Sequence, residues 1–87
     1  MRSRLTEDFV DCFQRLPREI QVLARKNYRI WCDNPTHPSL RFKRINKIEP
    51  LYSVRVGIGH RAVGLVEGDI ITWFWIGTHA EYDRLIG

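Results

Sequence analysis

The stretch of this chain best arranged for chemistry is Thr78-His79-Ala80-Glu81. Its spacing is that of a capping box, with Thr78 as the N-cap and Glu81 reaching back to the Thr78 amide. His79 then lies in the first turn of a helix, where free backbone N–H groups attract an anion such as phosphate. Histidine changes charge near neutral pH and can carry a proton. Tyr82 and Asp83 follow on the same helical face. Upstream stand cations that could meet the same anion. Arg55 alternates with Val54 and Val56 and projects from the opposite face of a strand, Lys43 alternates with Phe42, and Arg61 opens the next apolar segment. A proton carrier with cationic neighbours suits acid–base chemistry at a centre that accumulates negative charge. The plainer reading of His79 is a residue that caps or packs at a strand–helix junction.

Arg41, Lys43, Arg44 and Lys47 form a basic cluster, and 14 Lys and Arg against 10 Asp and Glu give a formal net charge of +4. In a small domain this leans towards a polyanionic partner, with nucleic-acid phosphates as natural ligands for the cluster. A solvated surface is the alternative. His37 and His60 read as loop residues. Trp73 and Trp75 alternate along one strand with Ile71 and are expected on a single face, packed in the core. Tyr82, beside His79 on a short terminal helix, is placed to stack on a base or orient a ribose. Cys12 and Cys32 fall on two helices that would hold them roughly 16–18 Å apart at 1.5 Å per residue. A disulfide needs Cα atoms within about 7 Å, so both read as small buried hydrophobes. Cys and His lack zinc-ligand spacing, so neither a metal nor a cofactor is implied.

These residues need a frame. Thr6 is expected to cap a first helix running to about Arg15, with Glu7 and Asp8 favouring its positive end. Pro17 suits the start of a second helix, whose buried stripe is Ile20, Leu23, Ala24, Tyr28 and Trp31 and which Asn34-Pro35 stops. Pro35 to Ser39 is a rigid connector. The period then becomes two: Leu40 and Phe42 against Arg41 and Lys43, then Tyr52, Val54 and Val56 against Ser53 and Arg55. Gly57 and Gly59 mark a turn, a third strand covers about Arg61 to Val66, and Gly68-Asp69 turns the chain again. The run from Ile70 to Ile76 is apolar on both faces, as a central strand should be. A brief helix closes the chain, with Leu85 and Ile86 expected to seat it. The fold class is α+β: an N-terminal helical hairpin packed on a four-stranded antiparallel sheet, with a short C-terminal helix. The opposite face of the sheet should carry Arg41, Lys43, Ser53 and Arg55.

Residues 1–87 read as one domain, 44% hydrophobic and 28% charged, which is too apolar for a disordered chain. No apolar run approaches the roughly 20 residues of a membrane-spanning helix. Met1-Arg2-Ser3-Arg4 leads into Glu7 and Asp8 and not into an apolar signal core, so a cytoplasmic protein without membrane contact is expected.

Several stretches together resemble the RelE/ParE toxin superfamily: Asn34-Pro35-Thr36-His37-Pro38-Ser39-Leu40-Arg41-Phe42-Lys43, Tyr52-Ser53-Val54-Arg55-Val56, His60-Arg61-Ala62-Val63-Gly64, and Trp75 to Leu85. The likeness runs from Phe9 onward. It implies a toxin of a type II toxin–antitoxin system, silenced by a cognate antitoxin protein, and a helical hairpin on an antiparallel sheet. Members cut mRNA on the ribosome without metal or poison DNA gyrase, and some are inactive. For an mRNA-cutting member the resemblance implies His79, Arg61, Arg55 and Tyr82 as the catalytic set. Arg61 matches an arginine that most members carry and would contact the phosphate through its fork of donors. Arg41, Lys43, Arg44 and Lys47 would bind RNA. Ser53 is a departure, since some RNA-cutting members have a basic residue there.

Overall fold

Local signals start and stop the helices as their residues dictate. In the computed structural model, which describes residues 1–87, the Thr6 side chain accepts a hydrogen bond from the Phe9 amide at 3.1 Å and opens helix α1, Glu7–Gln14. Pro17 precedes helix α2, Arg18–Asp33, and Asn34 ends it. The Gln21 side-chain amide donates to the carbonyls of Phe13 and Leu16, both at 3.1 Å, tying the end of α1 to the start of α2. Both helices pack on one face of a sheet. Trp31 of α2 is buried there, its ring meeting Trp73 edge-on at 5.5 Å and Phe42 at 5.8 Å. The rest of the expected α2 stripe is half-buried, and Tyr28 is exposed.

The sheet has five strands, not four, and is mixed. Strand β1 is Arg2–Leu5, β2 is Lys43–Arg44, β3 is Leu51–Val56, β4 is His60–Glu67 and β5 is Ile70–Thr78, in the spatial order β1-β5-β4-β3-β2. The four strands after the hairpin are antiparallel, as their short connections require. β1 adds itself parallel to β5, with Arg2 opposite Ile70 and Leu5 opposite Trp73. Its four residues carry no apolar alternation; what makes them a strand is the free edge of β5, nearly seventy positions away in the chain. β2 is shorter than the alternation from Leu40 suggests. Leu40 belongs to a 3-10 turn, Pro38–Leu40, and is fully buried, and Arg41 takes a left-handed φ of 46° that breaks the strand before Lys43.

A bulge resets the faces of β5. Gly64 of β4 pairs with Trp73 and Val63 with Trp75, leaving Phe74 extra. Ile71, Trp73 and then Ile76 join the core with Leu40, Val54, Val56 and Ala62. Trp75 goes to the other face, against Tyr82 at 6.4 Å between rings, so the two tryptophans do not share a face. Gly64 makes room for this core, since a Cβ there would lie 2.8 Å from Ile71 and 2.9 Å from the Trp73 ring.

Helix α3, His79–Ile86, crosses the face opposite the hairpin. It is seated by Tyr82, 4% exposed, while Leu85 and Ile86 are about half exposed at 50% and 48%. Of the cysteines, Cys12 is half-buried and Cys32 exposed, both free, so the expectation of two buried thiols fails for Cys32. His60 is not a loop residue: it opens β4 opposite Val56 and Thr78.

Candidate functional site

Side chains directly opposite each other on neighbouring strands share a face. The face away from the hairpin therefore carries two rows. One row is Lys43, Ser53, Val63 and Trp75, and the next is Arg55, Arg61 and Gly77. Arg55 and Arg61 are direct cross-strand partners, an arrangement of like charges that favours an anion between or above them. Arg55 is half-buried and donates from Nε to the Gly57 carbonyl at 3.0 Å. Arg61 is buried, 9% exposed. The chain's two ion pairs are Arg2–Asp69 and His79–Asp83, so Arg61 has no carboxylate, and the surface pairing with Glu67 or Asp69 that its sequence neighbourhood allows is not made. Its neighbours are the Ser53 hydroxyl, which accepts from Nη1 at 3.4 Å, and the Tyr82 ring, 5.2 Å from the guanidinium carbon. A buried charge without a counter-ion is costly. In a structural core that cost has no evident return; at a site for a phosphate it has one.

α3 brings its residues to this face. The capping box is complete: Glu81 accepts from the Thr78 amide at 2.8 Å and from its hydroxyl at 2.9 Å, and the Glu81 amide donates back at 3.1 Å. The bond from the Thr78 backbone, then that from its side chain, holds the Glu81 carboxyl below the usual carboxylate range. Gly77 permits the approach, because a Cβ there would meet Trp75 at 2.6 Å and Glu81 Oε1 at 2.8 Å. The His79 amide donates to Gly59 at 2.8 Å. The amides of Thr78, His79 and Glu81 are thus engaged, and the first turn is not the open cradle of donors that the sequence suggests. What the turn contributes is the His79 imidazole itself, with 52% of its side chain exposed, 3.6 Å from Asp83 and 6.0 Å from the Tyr82 ring. Tyr82 sits between His79 and Arg61. Its hydroxyl donates to Ser53 at 3.3 Å, so in this state it is not free to stack on a base. Ser53, neutral and fully buried, is the partner that sequence reasoning treated only as a missing charge.

The basic cluster lies at the β2 edge. Arg41, Lys43, Arg44 and Lys47 are all exposed. Arg44 folds onto its own loop, donating to the carbonyls of Asn46 at 2.9 Å and Lys47 at 3.5 Å. Lys43 stands opposite Ser53 and extends the Arg55–Arg61 face to the edge. No group of three or more His, Cys, Asp or Glu is placed to hold a metal ion. No helix is long and apolar enough to cross a membrane.

A second feature lies on the hairpin side. A crevice of about 470 Å³ separates α1 from α2 above the sheet, lined by Phe9, Phe13, Ala24, Trp31, Val56 and Trp73 among others. Arg4, Arg25 and Arg29 also line it, with no acidic residue. The buried indole N–H groups of Trp31 and Trp73 have no acceptor.

The family model for the ParE-like toxin domain matches residues 18–84, from the start of α2 into α3. No curated protein matches the chain significantly. Among solved structures, a chain of the RelB–RelE antitoxin–toxin complex from Methanococcus jannaschii superposes with a TM-score of 0.72 at 21% identity, covering 95% of this chain and 98% of that one. A chain of the archaeal RelE–RelB complex from Pyrococcus horikoshii OT3 gives 0.70 at 17% identity over 88% and 92%. The YoeB/ParE toxin from Agrobacterium tumefaciens gives 0.70 at 18% identity over 91% and 99%. At these identities the likeness establishes a common fold.

Proposed function

This chain belongs to the ParE-like toxin domain family of the RelE/ParE superfamily, and from that premise we propose that it is the toxin of a type II toxin–antitoxin pair and cuts mRNA on the ribosome, in the cytoplasm. The observation that carries this reading is Arg61: buried, without a carboxylate, directly opposite Arg55, and one aromatic ring away from His79. In such a reaction a ribose 2′-oxygen attacks the adjacent phosphorus. The new P–O bond forms as the bond to the 5′-oxygen breaks, leaving a cyclic phosphate and a 5′-hydroxyl. The 2′-hydroxyl gives up a proton and the leaving oxygen takes one; the His79 imidazole is the side chain placed to exchange it. Arg61 and Arg55 would stabilise the extra negative charge of the five-coordinate phosphorus. Tyr82 would set the position of Arg61, and Lys43 with its basic neighbours Arg41, Arg44 and Lys47 would hold flanking phosphates.

Induction in growing cells tests the proposal. Rapid arrest of translation with cleaved mRNA is expected, and His79→Gln should abolish it while leaving the fold intact, since acid–base assistance is worth about 10²–10⁴ in rate. A folded, fully toxic His79→Gln protein would remove the histidine from the mechanism. The neutral Ser53 and the burial of Tyr82 favour a second reading, binding of DNA gyrase without chemistry; a DNA-damage response with intact mRNA would select it. No growth effect at all would indicate an inactive, antitoxin-binding relative.

The partner we propose is an antitoxin segment with apolar anchors and acidic flanks, laid over the hairpin. The crevice offers it an apolar floor and an all-cationic rim of Arg4, Arg25 and Arg29. Expression with the neighbouring reading frame should suppress toxicity; equal toxicity with and without it counts against the pairing.

A further inference from the structure

Arg61 is the anchor of the proposed site, yet the free molecule keeps it covered. Two groups cover it. Ser53 lies beneath and Tyr82 lies over it, and the single Ser53 oxygen accepts from both Arg61, at 3.4 Å, and Tyr82, at 3.3 Å. Both bonds are long against the usual range of about 2.5–3.2 Å, and one neutral hydroxyl divides itself between two donors. A phosphate oxygen would be the stronger acceptor for the guanidinium, because its bond is charge-assisted. What holds the cover in place is slight. Of the eight residues of α3 only Tyr82 is buried. Beyond it the helix is fixed by its capping box and by the His79 amide on Gly59. An eight-residue helix has little stability of its own.

We propose that Ser53 and Tyr82 form a latch that masks Arg61, and that a single phosphate group opens it by taking Arg61 from the shared hydroxyl and loosening the packing of α3 at Tyr82, while the capping box and the bond to Gly59 keep His79 at the site. This rests on the reading of Arg61 as a phosphate receptor. The two cheapest changes in the latch then act on affinity in a definite direction. Ser53→Ala deprives both Arg61 and Tyr82 of their acceptor. Tyr82→Phe keeps the ring over Arg61 and removes only the hydroxyl. Ser53→Ala relieves phosphate of competing for Arg61, and Tyr82→Phe relieves it of breaking the bond that ties α3 down; either hydrogen bond is worth about a two- to tenfold shift in an equilibrium.

The experiment is titration of the full chain with inorganic phosphate by calorimetry, with hydrogen exchange of the α3 amides measured alongside. The expected result is phosphate binding that tightens about two- to tenfold in Ser53→Ala and in Tyr82→Phe and is lost in Arg61→Gln. The double variant should bind no more than marginally tighter than Ser53→Ala, because both changes break the same hydrogen bond. In the wild type, phosphate should speed exchange in α3. Unchanged or weaker binding in the variants, no binding in any form, or slower α3 exchange with phosphate overturns the latch. If Ser53→Ala does not fold, Tyr82→Phe decides alone. Tightened phosphate binding in a protein that cuts no mRNA upholds the latch and removes the nuclease reading. Cleavage by the wild type, with phosphate affinity unmoved in the variants, does the reverse.

Discussion

Arg61 carries a tension between stability and use that a single substitution can expose. Its guanidinium is buried, lacks a carboxylate and faces Arg55 across the strand pair. Replacing a buried charge by an apolar side chain of similar volume is often neutral or stabilising, by about 1–4 kcal/mol in favourable cases. Arg61→Met should therefore leave the protein at least as stable in urea and raise its unfolding free energy by about 1 kcal/mol, while toxicity disappears. That pairing separates a functional arginine from a structural one: if Arg61 were holding the fold together, the same change would lower the urea midpoint. His79 behaves differently because its ring is half exposed, with only Asp83 and one side of the Tyr82 ring beside it. Its loss should cost little stability, within about 0.5 kcal/mol for a surface position.

Among the elements, α3 is the one whose chemistry was most legible in the sequence and whose packing was least. Thr78 and Glu81 announce the capping box because the reciprocal bonds need only residues three apart, and the structure makes them. Thr78→Ala should therefore destabilise α3 by about 1 kcal/mol, read as faster amide exchange from His79 to Ile86 with the sheet amides unchanged. Acid should act on the same element. The Glu81 carboxyl is held below its ordinary range by the Thr78 backbone and side-chain bonds. Its contribution is then complete above the ordinary glutamate value of about 4.3 and is lost as pH falls below that through the folded-state value. α3 amides should lose protection over that window before the β4 amides do, and equal loss in both elements would contradict the assignment. The two helices of the hairpin, β4 and β5 were legible for the same reason as the capping box, since their periodicity and caps are local. β1, the bulge at Phe74 and the left-handed Arg41 were not. β1 depends on an edge built almost at the far end of the chain. The bulge depends on Trp73 lying over Gly64, and it sends Trp75 to Tyr82 although both tryptophans alternate perfectly in sequence. In the candidate site, His79, Arg55 and Arg61 could be picked out one at a time, but the Ser53 hydroxyl that joins Arg61 to Tyr82 links three elements and leaves no trace in spacing.

Over the whole molecule the charge is arranged so that one face has depth and an approach. The net charge is +4, and the row from Lys43 at the β2 edge leads across Ser53 towards the buried Arg61. Exposed cations at an edge steer and hold a polyanion, whereas a buried one waits for a single phosphate. The four basic residues near that edge should therefore not contribute equally. Arg44 already donates to the carbonyls of Asn46 and Lys47, and Arg41 is turned aside by its left-handed backbone before the strand begins. Arg44 pairs into the sheet opposite Tyr52, whereas Lys43 pairs opposite Ser53 and so shares the face of Ser53 and Arg61. Lys43→Glu should weaken association with ribosomes or single-stranded RNA more than Arg44→Glu does. It should also flatten the salt dependence: each phosphate that is no longer neutralised reduces the slope of log K against log salt by about 0.7 for a single strand. The measurement is RNA affinity at four or five salt concentrations for the wild type and the two variants. Equal slopes in all three would make the β2 edge ordinary solvated surface. A larger loss of affinity at Arg44 than at Lys43 would move the RNA track off the face that holds Arg61, and the His79–Arg61 reading would then lack the approach it needs.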